Sequence, residues 1–254
     1  MAKIFERAEI VRQEEIAPGI FSIVLKTKIA ELAIPGQFIS VYSNDESRLL
    51  PRPISICEIF AEKQMLRIVY RVAGIGTKEF SQYKAGDSLK ILGPLGNGYN
   101  LLNREALIIG GGIGIPPMLG LAKELHGQKT MVLGYRSNDT FLLDSFTGLG
   151  DIYIASDDGS VGIKGTVIDA IKDANLKPEV IYACGPMPML KAVKAYAGER
   201  DILCYISLEE RMACGIGACL GCITKSTGVD DHSKVRNKRI CTEGPVFDAR
   251  EVTL

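Results

Sequence analysis

Short segments in which apolar and polar residues partly alternate dominate residues 1–100. Four of them, 19–26, 37–42, 65–72 and 88–92, are separated by turn residues. Alternation of this kind is typical of β-strands that bury one face. A helical stripe of useful length does not accompany these segments. Closely spaced short strands predict a small antiparallel barrel or sandwich.

The hydrophobic pattern changes after residue 100. A continuous apolar run at 106–109 ends in glycines, as expected of a strand buried on both faces of a parallel sheet. Similar runs then alternate with helical stretches. The predicted strands continue at 130–133, 152–155 and 180–184, and the predicted helices cover 117–126, 164–173 and 187–198. This alternation predicts an open, doubly wound parallel sheet.

Regular patterning is lost from about Leu208 onward, where glycine and cysteine become frequent. We therefore expect three units: a β-barrel over 1–100, an α/β unit over 101–207 and a small C-terminal unit over 208–254. The fold class predicted for the whole chain is a multi-domain arrangement of antiparallel β-barrel, doubly wound α/β domain and small terminal domain.

The composition is that of an ordinary globular chain. The 254 residues include 30 Lys and Arg against 30 Asp and Glu, so the formal charge is zero and bulk electrostatic binding of nucleic acid has no support. The first residues lack the apolar core of a signal peptide. No stretch approaches the roughly eighteen apolar residues that span a bilayer. We expect a cytoplasmic protein.

Four of the seven cysteines lie in the last 41 residues, which in a reducing compartment indicates a metal site rather than disulfides. The spacing Cys214-x4-Cys219-x2-Cys222, followed by Cys241, is the one by which plant-type ferredoxins bind a [2Fe–2S] cluster. The intervening glycines allow backbone amides to approach anionic sulfur. A zinc ion with four cysteine ligands is the alternative, although such sites usually contain two C-x2-C pairs.

Three further segments offer groups that bind anions. Residues 110–117, with the sequence G-G-G-I-G-I-P-P, lie where an apolar strand precedes a helix, a place where backbone amides receive a diphosphate. Residues 52–55, R-P-I-S, supply a cation and a hydroxyl that point to opposite faces of an ideal strand. Residues 74–77, G-I-G-T, again offer amides and a hydroxyl. Each segment is also compatible with a purely structural turn.

Together and in this order, these motifs resemble the ferredoxin–NADP reductase superfamily. The resemblance rests on the R-P-x-S and G-x-G-T motifs, the link at 93–96, the glycine loop at 110–117 and the strand end at 184–186. With the run S-L-E-E-R-M-A-C-G-I-G-A-C-L-G-C over 207–222, the chain is similar to the family of electron-transfer subunits of NAD-dependent (class 1B) dihydroorotate dehydrogenases. The resemblance spans nearly the whole chain.

This resemblance implies that 1–100 binds FAD, 101–207 binds NAD and 208–254 binds a [2Fe–2S] cluster. The implied FAD contacts are Arg52, Pro53, Ile54, Ser55, Val69, Tyr70, Arg71, Gly76 and Thr77. The implied NAD contacts are Gly110, Gly111, Gly112, Gly114, Pro116, Cys184, Gly185 and Pro186. Cys184 is implied to lie near the nicotinamide ring, and its alternative is simple burial. The implied cluster ligands are Cys214, Cys219, Cys222 and Cys241.

The resemblance also implies a partner. Dihydroorotate is oxidised at FMN on a separate catalytic subunit in pyrimidine biosynthesis, and two copies of each subunit form a heterotetramer. A chain of this family passes electrons through its cluster and FAD to NAD+, because a flavin converts between single electrons and hydride. The cluster loop then faces the partner. The only histidines, His126 and His232, lie in no acid–base motif.

Other assignments stay open at this point. The reductase subunit of another complex, such as an NADH-dependent ferredoxin–NADP oxidoreductase, a sulfide dehydrogenase or a monooxygenase, has a similar layout. A redox-sensing flavin and iron–sulfur module is a second class. Tyr135-Arg136-Ser137 offers a cation and a hydroxyl that suit the 2′-phosphate of NADP, whereas the family resemblance implies NAD. The basic segment 234–239 is either a solvated loop or a docking patch.

Overall fold

The computed structural model describes residues 2–45, 47–229 and 234–254. It arranges them as a closed six-stranded barrel, a seven-stranded sheet and a three-stranded sheet. The predicted fold class, an antiparallel β-barrel followed by a doubly wound α/β sheet and a small C-terminal region, is confirmed.

The barrel closes in the strand order β1-β2-β5-β4-β3-β6, and every neighbouring pair is antiparallel. Its strands are β1 (Ile4–Ala17), β2 (Ile20–Lys26), β3 (Phe38–Tyr42), β4 (Arg52–Phe60), β5 (Met65–Arg71) and β6 (Ser88–Leu95). Alternate residues such as Ile10, Ile23, Ile39 and Ile68 fill the interior and are fully buried. Closure removes the exposed strand edges that an open sheet would carry.

Strands β1 and β4 and helix α1 are absent from the segments that the sequence predicts in the barrel. Strand β1 is fourteen residues long, and its buried positions Ala8 and Ile10 alternate with exposed ones. Its two-residue period is hidden because the exposed positions include the apolar Phe5 and Val11, and because the register shifts after Ile10. Helix α1 (Ile75–Phe80) occupies what the sequence indicates as a loop, and its Phe80 is buried in the barrel core.

The seven-stranded sheet has the order β10-β9-β8-β7-β11-β12-β15, parallel except for its last strand. Its strands are β7 (Ala106–Gly111), β8 (Lys129–Tyr135), β9 (Asp151–Ser156), β10 (Ile163–Lys164), β11 (Val180–Cys184), β12 (Leu203–Ser207) and β15 (Val246–Asp248). Its helices are α2 (Ile115–Glu124), α3 (Val167–Asp173) and α4 (Met187–Gly198). Within the described residues, no helix combines the length and the apolar character that crossing a membrane requires.

Helix boundaries differ from the prediction at two starts. Helix α2 begins at Ile115 rather than 117, because proline is tolerated in the first turn, where the missing amide would have no helical partner. Helix α3 begins at Val167 rather than 164, because Thr166 accepts a hydrogen bond from the Asp169 amide and caps the helix. Helix α4 and strand β11 have the predicted bounds.

The C-terminal region contributes to two sheets. Strands β13 (Ile223–Ser226), β14 (Asn237–Arg239) and β16 (Val252–Thr253) form the small antiparallel sheet. Strand β15 instead pairs with β12 at the edge of the large sheet, and the Leu208 amide donates to the Pro245 carbonyl at 2.9 Å. The chain therefore leaves the large sheet after β12 and returns to the same edge.

Helix α2 fixes the large sheet against the barrel. Gly120 packs so closely on β4 that a Cβ there would overlap the Cys57 carbonyl oxygen. Beside it, the buried Glu58 carboxylate accepts a hydrogen bond from Arg67 of β5 at 2.8 Å and forms an ion pair with Lys123 of α2. Burial opposes ionisation of Glu58, but the hydrogen bonds and charges of Lys123 and Arg67 outweigh it, so its pKa lies below the usual 4.5.

Substitution at Gly120 tests this close packing. We expect Gly120→Ala to lower the free energy of unfolding by about 1–3 kcal/mol, because the added methyl overpacks the interface. Gly198→Ala is the matched control, since a Cβ at the end of α4 meets nothing within 4 Å. It should be neutral or stabilising by up to about 1 kcal/mol. Denaturant unfolding followed by circular dichroism measures both, and equal effects would contradict the packing argument.

Glu58→Gln tests the ion-pair cluster. Because the pKa of Glu58 is lowered in the folded state, its stabilisation is complete above the unfolded pKa and is lost as pH falls through the folded one. The variant should lose about 1–3 kcal/mol at pH 7, and the difference from wild type should shrink at acidic pH. Glu62→Gln, which changes an exposed carboxylate, is the control. A difference that stays constant from pH 7 to pH 3 would refute this explanation.

Candidate functional site

The four C-terminal cysteines lie together as two pairs. Cys214 and Cys219 share a hydrogen bond, and so do Cys222 and Cys241. The Ala218 amide also donates to Cys214 Sγ at 3.3 Å. In the described part of the chain, three His, Cys, Asp or Glu side chains do not converge on one point that would hold a single metal ion. Four neighbouring cysteine side chains are the donor set that a [2Fe–2S] cluster uses.

The electrostatics of residues 214–222, the thiol loop, favour a bound cationic group. Burial raises the pKa of Cys214, but hydrogen bonds outweigh it, first that from the Ile216 amide, and bring the pKa to about 6. Burial and, after it, the neighbouring Cys222 together raise the pKa of Cys241 to about 12. Thiolates are the form that binds metals, and crowded thiolates repel one another unless a metal neutralises them. The donor set therefore fits a metal–sulfur group.

The thiol loop lies on the outside of the barrel, against strand β3. Ile39 and Val41 point into the barrel core, so Phe38, Ser40 and Tyr42 point outward. Phe38 packs in the same cluster as the buried Cys222 and Cys241. Gly215 follows Cys214 with φ of 68°, and a Cβ there would lie 2.9 Å from Ser40 Oγ. Glycine is required here because the backbone is left-handed and approaches the barrel closely.

Tyr42 gives independent support for this contact. Burial and the negative charge of Cys214 both raise the pKa of the Tyr42 hydroxyl. The first cysteine of the thiol loop is therefore close enough to β3 for its charge to act there. The outer face of β3 thus forms the floor of the cysteine site.

Strand β4, which carries the R-P-I-S motif, is the direct neighbour of β3. Their register pairs Ser55 with the outward Phe38 and Arg52 with the inward Val41. Arg52 and Ser55 therefore leave opposite faces of the strand, as their spacing indicates. Pro53 is opposite Ser40 on the outer face, and Ile54 points into the barrel core.

Arg52 lies against the second predicted anion loop. Its guanidinium donates to the Leu50 carbonyl at 2.7 Å and approaches Gly76 so closely that a Cβ at Gly76 would overlap it. The structure thus brings together two motifs that are far apart in sequence. The Thr77 hydroxyl accepts from the amides of Ala73 and Gly74 and donates to the Gly74 carbonyl at 3.0 Å. The hydroxyl and these two amides are therefore used within the loop, and the amides left to meet an anion are those of the first turn of α1, which have no partner within the helix.

The three predicted site residues of strand β5 lie on two faces of the strand, one inside the barrel and one outside it. Val69 packs toward α2 outside the barrel, whereas the Tyr70 ring is in the barrel core and stacks on Phe21 at 5.9 Å. The buried Tyr70 hydroxyl has no hydrogen-bond partner among the described residues. Burial raises its pKa strongly. Arg71 is exposed, and its Nη2 would be 3.9 Å from a Cβ at Gly112. Only Val69 and Arg71 therefore face the large sheet.

The glycine loop and the end of β11 meet at the carboxyl edge of the large sheet. Strands β8 and β9 lie on one side of β7 and strands β11 and β12 on the other, so this edge is a topological switch point, where such sheets bind ligands. A Cβ at Gly114 would overlap the Cys184 carbonyl and lie 2.6 Å from the Gly185 nitrogen. A Cβ at Gly111 would be 3.1 Å from Pro186 Cδ. Pro116 is buried in the first turn of α2.

Cys184 carries a protonated thiol. Burial raises its pKa to about 12, and a hydrogen bond with Ser207 only partly opposes this. Nearby, Tyr99 donates to the Ala183 carbonyl at 3.3 Å. Sequence reasoning missed Ser207 and Tyr99 as neighbours of this site. The register of β11 and β12 pairs Cys184 with Ser207, and this register is known only from the structure.

The remaining candidate residues are dispersed. In the basic segment 234–239, Arg239 donates to the Gly217 carbonyl at 3.3 Å and Lys238 pairs with Glu251 at 2.7 Å, so part of this charge is used internally. His126 is exposed just after the end of α2 and thus outside the helix predicted to contain it. His232 lies outside the described residues.

Known relatives match this chain almost from end to end. The family described as the iron–sulfur cluster binding domain of dihydroorotate dehydrogenase B matches residues 209–253. The dihydroorotate dehydrogenase B (NAD(+)) electron transfer subunit of Listeria monocytogenes serotype 4a is 42% identical over 254 residues, covering 97% of this chain and 98% of the relative. The protein of the same name from Bacillus pumilus is 44% identical, with 96% of each chain covered.

Solved structures agree with the sequence relatives. The structure of an NADH-dependent reduced ferredoxin–NADP oxidoreductase, studied for flavin-based electron bifurcation, has a TM-score of 0.87 at 30% identity and covers 97% of this chain and 89% of that one. The ferredoxin reductase of carbazole 1,9a-dioxygenase, at 20% identity and a TM-score of 0.68, covers 80% and 67% and shows the fold alone. The family resemblance carried by the sequence motifs is confirmed. This chain belongs to the family of electron transfer subunits of NAD-dependent dihydroorotate dehydrogenase B.

Proposed function

We propose that this chain is the electron-transfer subunit of an NAD-dependent dihydroorotate dehydrogenase in pyrimidine biosynthesis. It takes electrons from the FMN of a catalytic subunit and delivers them to NAD+, with a [2Fe–2S] cluster and FAD as its own redox groups. The flavin supplies the conversion between single electrons and hydride. The close relatives named as electron transfer subunits support this assignment.

One observation carries the proposal: the cysteine site and the R-P-I-S strand share the outer face of two neighbouring barrel strands. Phe38 and Ser40 of β3 lie beside Ser55 and Pro53 of β4, and the thiol loop rests on the β3 side. An oxidoreductase that joins one-electron and two-electron carriers needs its two redox groups as neighbours. This shared face supplies that proximity.

The cysteine pairs fit a [2Fe–2S] cluster. We propose Cys214, Cys219, Cys222 and Cys241 as its ligands, with the loop amides stabilising negative charge on sulfur. The role of the chain's own residues is to hold four thiolates in place and to exclude water, because Cys222 and Cys241 are buried in the same apolar cluster as Phe38.

The FAD contacts we propose divide by chemistry. Arg52 and the loop amides at Gly76 and Thr77 hold the pyrophosphate, because a guanidinium and backbone amides together bind phosphate oxygens. Ser55, Val69 and Arg71 flank the ring system on the outer face. The remaining proposed contacts, Pro53, Ile54 and Tyr70, meet FAD through the backbone atoms of β4 and β5.

The nicotinamide site we propose is the switch point of the large sheet, within the α/β unit 101–207. Its glycine loop supplies amides and the start of α2 for the NAD pyrophosphate. At the end of β11, Cys184 presents a neutral thiol beside the ring. The proposed contacts are Gly110, Gly111, Gly112, Gly114, Pro116, Cys184, Gly185 and Pro186.

The partner we propose is the FMN-containing catalytic subunit, in a heterotetramer with two copies of each chain. The thiol loop faces this partner, because its exposed apolar side chains Ile216 and Leu220 surround the cysteines. A cytoplasmic location is part of the proposal and rests on the metal-binding use of cysteine, which requires reduced thiols.

Cofactor analysis of the full chain, purified without oxygen, tests the proposal. We expect about one FAD, two irons and two sulfides per chain, together with a copurified FMN subunit that binds orotate. Cys222→Ala should abolish iron and sulfide and retain FAD. Cys204→Ala, which changes a buried cysteine outside the thiol loop, should retain all three.

Two results would contradict this function. Zinc in place of iron and sulfide would overturn the cluster, and a partner without FMN would assign the chain to a different reductase complex. The structural likeness to an NADH-dependent ferredoxin–NADP oxidoreductase makes the second result the relevant alternative. The higher identity to dihydroorotate dehydrogenase relatives, up to 44%, favours the proposed partner.

Gly76→Ala tests the pyrophosphate site separately. The added methyl displaces the Arg52 guanidinium, so FAD binding should weaken about tenfold or more, since a charged hydrogen bond contributes about 1.5–3 kcal/mol. Titration of the apoprotein with FAD, followed by flavin fluorescence, measures the change. Gly198→Ala on α4 is the control and should bind FAD normally. Unchanged affinity in Gly76→Ala would remove Arg52 from the site.

A further inference from the structure

Two buried hydroxyl groups without partners lie next to the thiol loop. Among the described residues, four buried side-chain polar atoms lack a hydrogen-bond partner: Gln13 Oε1, Ser40 Oγ, Tyr70 Oη and Thr242 Oγ1. Burying a hydroxyl without a partner costs free energy, so such atoms are rare in stable proteins. Their concentration at one loop requires an explanation.

Ser40 approaches the loop from the barrel. It is on the outer face of β3, 1% exposed, and a Cβ at Gly215 would lie 2.9 Å from its Oγ. The Ser40 hydroxyl is therefore buried at the position where the flavin-binding barrel contacts the first cysteine turn.

Thr242 approaches the loop from the opposite end of the cysteine motif. It directly follows Cys241, and a Cβ at Gly217 would lie 2.7 Å from its Cγ2 and 3.3 Å from its Oγ1. The two hydroxyls thus meet two different glycines of the same loop. A protein acceptor is absent for both among the described residues, although each carries a hydrogen to donate.

We infer that Ser40 and Thr242 are positioning residues that donate hydrogen bonds to the sulfur atoms of the group held by the thiol loop. Once the metal group is bound, its sulfur atoms are the hydrogen-bond acceptors next to this loop. A hydrogen bond to sulfur removes the free-energy cost of burying each hydroxyl without a partner. The inference rests on the proposed function, in which that group is a [2Fe–2S] cluster.

The consequence is control of the reduction potential. Reduction adds negative charge to the cluster, and hydrogen bonds to its sulfurs stabilise that charge, so each donor raises the potential. Ser40 belongs to the barrel, whereas Thr242 belongs to the C-terminal region. The barrel that binds flavin thereby also adjusts the potential of the neighbouring redox group.

A potentiometric titration of the loaded full chain, followed by the EPR signal of the reduced cluster, tests this role. Ser40→Ala should lower the equilibrium constant for reduction of the cluster about tenfold. For one electron this is a shift of the reduction potential by about 59 mV to more negative values. Ser40→Thr retains the hydroxyl and should restore the wild-type value. The flavin potential, read in the same titration, should not move.

Two further variants make the test decisive. Thr242→Val removes the second hydroxyl at nearly constant volume and should also lower the cluster potential, whereas Thr242→Ser should not. Ser226→Ala is the matched control, because this buried serine in the same C-terminal region already donates to the Gly228 carbonyl at 2.7 Å. If Ser40→Ala fails to load the cluster, the Thr242 pair still decides the question.

The outcomes separate this inference from the proposed function. Wild-type potentials in both Ser40→Ala and Thr242→Val, in protein with full iron and sulfide, would overturn the inference and leave the function intact. Wild-type protein without iron and sulfide would overturn both. A shift in Ser226→Ala equal to that in Ser40→Ala would show a general packing effect and would also overturn the inference.

Discussion

Side chains along strands β3 and β4 point alternately into the closed barrel and away from it, and the functional geometry depends on this alternation. The inward residues Ile39, Val41 and Ile54 join the core that closes the barrel. The outward residues Phe38 and Ser40 of β3 lie beside Ser55 and Pro53 of β4, and together they form a continuous surface. A register shift of one residue would exchange the two sets, so the core that stabilises the barrel also fixes where the sites face.

The contact between α2 and β4 fixes the large sheet against the barrel. Gly120 allows the helix to approach the Cys57 carbonyl, and Glu58 joins Lys123 of the helix to Arg67 of the barrel. The helix begins at the glycine loop, so its position determines where that loop lies relative to Arg71. The glycine loop of the large sheet and Arg71 of the barrel are therefore aligned by one glycine and one buried carboxylate.

Local patterns predicted the parts of the chain whose structure is determined locally. Strand β11 has the expected bounds because its apolar residues are uninterrupted, and helix α4 has them because its buried residues recur at helical spacing. The cysteine and glycine motifs are short enough to read directly. Strand β1 was missed because the apolar residues Phe5 and Val11 face outward and break the alternation. Ser207 could not be identified as a site neighbour because only the pairing of β11 with β12 brings it there, and Ser40 could not because only the packing of the thiol loop on β3 does so.

The chain leaves the large sheet after β12 and returns to the same edge at β15. The Leu208 amide and the Pro245 carbonyl hold the two ends of the intervening stretch together. The entropy cost of closing such a stretch grows only slowly with its length. A change in the number of residues between β12 and β15 therefore adds only a small entropy of loop closure to the free energy of folding. The pairing of these two strands, rather than the length of the stretch between them, fixes where the chain re-enters the large sheet.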